Sequence, residues 1–127
     1  MTRFELSDMV IVQIEMAGFK RWSASSTSFE RAVEAGGCKF RLRASLDQKF
    51  SISREFEHME VVVVASVANK FWGESCQIAC ERVELRAGDT IDRTFFPSLL
   101  QKVLEESADV LGKMATAAAA GAMTGSI

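Results

Sequence analysis

Residues 39–53 read KFRLRASLDQKFSIS. Phe40, Leu42, Ala44, Leu46, Phe50 and Ile52 fall on even positions, with Lys39, Arg41, Arg43, Lys49, Ser51 and Ser53 between them. A period of two places successive side chains on opposite faces of a strand, so the stretch predicts a β-hairpin with one dry and one basic face. A loop at Asp47-Gln48-Lys49 keeps apolar residues opposite one another. It pairs Leu46 with Phe50, Ala44 with Ile52, Leu42 with Arg54 and Phe40 with Phe56. On the other face Lys39 then opposes Glu57, Arg41 opposes Glu55, and Arg43 opposes Ser53.

Working outward, Phe4, Leu6, Val10, Val12, Ile14 and Met16 also share even positions, which predicts an N-terminal strand with Asp8 as an irregularity. Residues 18–27 read as a loop. Thr27 and Glu30 fit a capping box for a short helix over Ser28 to Ala35, stopped by Gly36-Gly37, with a strand as the competing reading. Met59 to Ala68 is a Val-rich strand expected to be buried on both sides. Gln77 to Arg86 reads as a further strand, with a helix as the alternative. Beyond Phe95 the period lengthens: Leu99, Leu100, Val103, Leu104, Ala108, Leu111 and Met114 mark an amphipathic helix. Pro97 suits its first turn, or else marks a bend in a helix starting near Thr90.

The expected fold is therefore α+β: an antiparallel meander of about five strands with a long C-terminal helix packed on one face. The 127 residues suit a single domain, mainly sheet over 1–93, helix over 94–120, and a tail over 121–127. The hydrophobic fraction of 48% supports a core, and the net charge of −2 conceals an asymmetry. Residues 18–54 carry eight Lys/Arg against three acids, a net of +5, whereas residues 55–127 carry a net of −5. Such a division serves an anionic partner or charge-matched contact between copies. Three cysteines cannot all pair within one chain, and MTRFELSDMV has no signal-peptide pattern; both favour a reducing compartment, cytoplasmic rather than secreted. No apolar run has the length of a membrane span.

Several residue groups are candidates for chemistry. Lys39, Arg41, Arg43, Lys49, Ser51 and Ser53 form the candidate nucleic-acid surface. Cations and hydroxyls on a flat sheet suit phosphate contacts, and Arg43 and Lys49 have no acid opposite them in the expected register. The plainer reading is a solvated face laced with cross-strand ion pairs. The same register sets Cys38 opposite His58, with Arg54 nearby, but a nucleophile also needs an orienting group and an oxyanion site, and neither can be named. Cys76-x-x-x-Cys80 with Cys38 and His58 lacks the spacing of a standard zinc knuckle, so no metal or other cofactor is expected. Phe19-Lys-Arg-Trp22 and Lys70-Phe-Trp72 are basic–aromatic clusters that suit base stacking, or else close the ends of a core. After Lys113 no charge appears in MATAAAAGAMTGSI. Small residues permit close backbone approach, so this tail is expected against a neighbouring copy, with Gly121 releasing the chain from the helix. The self-interface is expected on Leu100, Val103, Leu104, Leu111, Met114, Ala118 and Met123.

Strand pair 39–57, helix 97–120 and the small-residue tail AAAAGAMTGSI together resemble, in order and length, the coat proteins of single-stranded RNA bacteriophages. Thr90-Ile91-Asp92-Arg93, before the helix, is similar to a Thr-apolar segment with a nearby Arg in some of those coats. The resemblance spans the whole chain but carries no motif specific enough to transfer individual residues. It implies a meandering sheet followed by C-terminal helices that lie across the sheet of a dimer partner, with the opposite sheet face meeting RNA inside a shell. The expected function is thus a non-enzymatic, self-assembling coat protein of the virion, with itself and RNA as partners. The alternative is a carrier of small hydrophobic ligands, whose sheet grips the C-terminal helix around a cavity with Arg54, His58 and Cys38 at its polar end.

Overall fold

The computed structural model describes residues 3–23, 26–35, 38–50, 56–68, 75–86 and 88–125. Helix α1 (Arg3–Met16) leads into strands β1 (Lys20–Arg21), β2 (Ser28–Ala35), β3 (Cys38–Phe50), β4 (Phe56–Ala68) and β5 (Ser75–Arg86), and helix α2 (Phe95–Gly125) closes the chain. The strands form one antiparallel sheet in sequence order, β1-β2-β3-β4-β5. The expected α+β class, with a five-strand meander and a C-terminal helix packed on it, is the observed one.

The N-terminal segment is a helix, not the expected strand. Leu6, Val10 and Ile14 are fully buried, four residues apart, while Val12 is 53% and Met16 83% exposed. A spacing of four is a helical stripe that also keeps to even positions, so the pattern fits both periods. Gly18, at φ +90°, ends the helix: its N–H donates to the Glu15 carbonyl at 3.0 Å and the Phe19 N–H to the Ile14 carbonyl at 3.4 Å. Those two bonds form a Schellman cap, and buried Phe19 follows Ile14 into the core. The segment 28–35 is strand β2, not the short helix. Glu30 does not cap a helix; its carboxylate accepts from Arg43 on the neighbouring strand. Phe29 is fully buried and Val33 half-buried, two alternate positions on the face toward the core.

The hairpin also differs from expectation. Strand β3 runs straight through 47–49, and the connection to β4 lies at 51–55, outside the described residues. Leu42 pairs with Ala65, Ala44 with Val63, Leu46 with Val61 and Lys49 with His58. The expected pairings of Lys39, Arg41 and Arg43 with 57, 55 and 53 are therefore replaced: Arg41 faces Ser66 and Arg43 faces Val64. The physical reason is the Val-rich strand β4. Setting Val61, Val63 and Ala65 beside Leu46, Ala44 and Leu42 buries far more apolar surface than a short hairpin could. Only one side of β4 is fully buried; Val62 and Val64, on the other, are half-buried, against the expectation of burial on both sides. Strand β5 forms as predicted, with an irregularity opposite Ala65/Ser66 that leaves Ile78 without a register partner.

Both helices contribute to one core on one side of the sheet. Leu6, Val10 and Ile14 of α1 and Phe96, Leu99, Leu100 and Val103 of α2 join Phe40, Leu42, Ala44, Met59, Val61 and Val63. Helix α2 starts at Phe95, after Thr94 rather than near Thr90, and Pro97 lies in its first turn, where its missing N–H breaks no bond. Gln13 of α1 completes the start: its Oε1 accepts from the Phe96 N–H at 2.8 Å and its Nε2 donates to the Asp92 carbonyl at 2.7 Å. Ser107, not Ala108, is the buried position one turn past Val103; its hydroxyl donates to the Val103 carbonyl at 2.7 Å. The helix continues through Gly121 to Gly125, so glycine does not release the chain where expected.

Candidate assembly and nucleic-acid surface

With α1 and α2 on the core side, alternation sends the intervening residues of each strand to the other face. Register then defines the rows that cross it. Lys20, Glu30, Arg43, Val64 and Cys80 form one row; Ala32, Arg41, Ser66 and Gln77 another; Asp47, Glu60 and Glu84 a third. Lys49, His58 and Arg86 lie in line near the sheet end. This face is charged and mixed, with Val62 and Val64 half-buried at its middle.

Of the candidate nucleic-acid residues, Lys39, Arg41 and Arg43 are exposed on this face. Arg43 is not unpaired: it holds Glu30 at 2.8 Å and lies 5.8 Å from the Trp22 ring centre. The hydrogen bond from Arg43 is the main reason the Glu30 carboxyl sits below its ordinary range; the Trp22 side chain and the charge of Arg41 add to it. Lys39 stands across from Glu34, whereas Arg41 has Ala32 and Ser66 as cross-strand neighbours and, among the described residues, forms no ion pair. Lys49 belongs to β3 by its backbone, and its side chain lies outside the described residues, as do Ser51 and Ser53. Two further cations reach the same face from β5. Arg82 binds Glu60 at 2.7 Å, and Arg86 lies 3.5 Å from Glu84, which is also 3.5 Å from His58 Nδ1. Their alternation with Glu84 is visible in the sequence, but only the register puts them on the same face as the β3 cations, with β4 between.

The expected polar site does not assemble. Cys38 begins β3 and pairs with Ala35, while His58 pairs with Lys49 near the other end. Eleven residues of strand, about 37 Å, separate the two backbone positions. His58 lies on the open face beside Glu84 rather than in the core, and Arg54 is outside the described residues. No cluster suited to a metal ion occurs among the described residues. In the aromatic clusters, Phe19 is buried edge-on against Phe96, with ring centres 5.5 Å apart, while Trp22 is 68% exposed. Lys70 to Trp72 falls outside the described residues.

Four residues of the expected self-interface are occupied within the chain. Leu100 and Val103 are buried in its own core, and Leu104 and Leu111 are half-buried against that core. The side chains of Met114, Ala118 and Met123 lie outside the described residues. Two other surfaces stand open. One is the far edge of β5, twelve residues long, which pairs with no strand among the described residues. The other is an apolar groove of about 640 Å³ between α1 and the start of α2, whose lining includes Met9, Val12, Met16, Arg93 and Pro97. No described helix is long and apolar enough to cross a membrane. Compared with known protein families, curated proteins and solved structures, the chain matches none.

Proposed function

We propose that this protein is a non-enzymatic, self-assembling structural protein of coat or capsid type, a dimeric building block whose open sheet face contacts RNA. The observation that carries the reading is the one-sidedness of the sheet. Both helices pack on one face, and the other presents Lys39, Arg41, Arg43, Arg82 and Arg86 to solvent. A broad, flat, cation-bearing sheet backed by helices suits a shell wall, with protein on one side and polyanion on the other. Arg41 and Lys39 would contact phosphate directly, since Arg43, Arg82 and Arg86 already hold carboxylates. The exposed Trp22 ring, beside Arg43, offers a surface on which a base stacks. The test is purification without nuclease, followed by negative-stain imaging and absorbance at two wavelengths. Uniform particles containing nucleic acid support the reading; nucleic-acid-free monomers refute it.

A second reading, a carrier of small hydrophobic ligands, is favoured by the groove between α1 and α2, whose volume suits a small apolar molecule. It predicts saturable binding of a fluorescent fatty-acid probe that Met16→Asp abolishes.

A further inference from the structure

We propose that two copies of this chain pair antiparallel along their β5 edges, in the register that sets Val83 opposite its own symmetry mate. The proposal rests on the self-assembly reading and specifies the surface that carries it. A strand edge of twelve residues, with neither proline nor glycine and with no partner strand among the described residues, offers a row of backbone donors and acceptors that templates another strand. At its end the Arg86 N–H donates to Asp89 Oδ2 at 2.7 Å and the Arg86 carbonyl accepts from the Asp89 N–H at 3.0 Å. Asp89 thus takes up the groups of Arg86, and by alternation those of Glu84 and Arg82 point to the free edge.

Charge favours one register: centres at Cys80 or earlier in β5 oppose no like charges, but they bring no opposite charges together either. A two-fold axis perpendicular to the sheet keeps both helical layers on one side, so only registers opposing residues of equal parity are allowed. Centring on Arg82 opposes two arginines. Centring on Glu81 or Glu84 opposes two glutamates, and the Glu84 centre also opposes Arg82 to Arg86. Like charges directly across strands repel. Centring on Val83 instead sets Arg82 against the partner copy's Glu84 twice over, and Cys80 against Arg86. Centring on Leu85 also opposes Glu84 to Arg86, but it overlaps only three strand residues and every backbone bond it offers needs the Arg86 groups that Asp89 occupies, whereas the Val83 register forgoes only the Cys80–Arg86 bonds and keeps those between Arg82 and Glu84. In the Val83 register Arg82 lies between Glu60 of its own chain, at 2.7 Å, and Glu84 of the other copy. The paired sheets become one ten-stranded sheet with a continuous open face, doubling the row of cations. Charged edges also serve to keep monomers apart, and mixing variants separates the two uses.

The experiment measures the dimer dissociation constant by sedimentation for wild type, Arg82→Glu, Glu84→Arg, and an equimolar mixture of the two variants. Each variant alone opposes like charges twice and should dissociate about tenfold more readily or worse. In the mixture every glutamate meets an arginine, so heterodimers should form with near wild-type affinity, an outcome that simple loss of folding cannot produce. A dimer insensitive to both changes overturns the β5 register and leaves the self-assembly reading standing on another surface. A wild-type chain that is monomeric at every concentration overturns both.

Discussion

Arg41 has neither an acid across the strand nor an ion pair among the described residues, so its guanidinium is open to a phosphate, while its charge also acts on Glu30. Replacing Lys39 and Arg41 with alanine should lower nucleic-acid retention and reduce the salt slope of binding by about 0.7 per lost contact to single-stranded RNA. Arg43→Ala acts differently, because it also frees Glu30, and should destabilise the β2–β3 pairing as well as weaken binding. A filter-binding titration against salt distinguishes them. Inside the fold, Leu42 is fully buried in the core, so Leu42→Ala should lower stability by about 2–5 kcal/mol in a denaturant melt. Gln13 is not apolar and would pass as a surface residue in the sequence. Yet it satisfies the Phe96 N–H at the start of α2, and Gln13→Ala leaves that partly buried donor without its partner, which costs about 1–3 kcal/mol.

Helix α2 meets β5 through a pair of carboxyls. Glu106 is held above its ordinary value of 4.5, first by the hydrogen bond it shares with Glu81 and then by burial; the charge of Lys102 opposes the shift. A raised value means that the folded chain holds this proton more tightly than the unfolded one. That contribution is full below the ordinary value and is lost as pH rises through the raised one. Mild acid should therefore tighten the seat of α2 on β5, and Glu106→Gln should flatten the response in thermal melts recorded across pH. Glu30 works in the opposite sense: its value is lowered by Arg43, so its contribution stands above its ordinary value and is lost as pH falls through the lowered one. Ending the chain after Lys113 removes twelve of the helix's 31 residues, all uncharged; light scattering should then show a smaller assembly if the tail meets a neighbouring copy. Elements were unequally legible in the sequence. The alternation of 40–46, the Val-rich 59–68 and the three-to-four spacing beyond 95 each admit one period, and all three elements form. The stretch 4–16 admits two, because Leu6, Val10 and Ile14 satisfy helix and strand alike. Asp47-Gln48-Lys49 has the polarity of a turn, which is why the sequence suggests one there, yet it lies inside β3.

At the scale of the molecule, the core face was readable and the site was not. Lys39, Arg41 and Arg43 were placed on the outer face by parity alone, which survives any even shift of register. Which acids they meet depends on the register itself, and this is set by the match between β3 and β4 rather than by anything local to residues 39–53. The whole fold is then a one-sided slab: helices behind, charged sheet in front, and a long free edge at β5. The proposed self-assembly around RNA would set an anion against that face and a strand against that edge. The most direct test of that claim is the mass of the purified, full-length protein by light scattering over a wide concentration range. A self-assembling coat protein should show twice the 14.0 kDa chain mass or a larger closed assembly, retained on dilution. A single 14.0 kDa species at every concentration would contradict it.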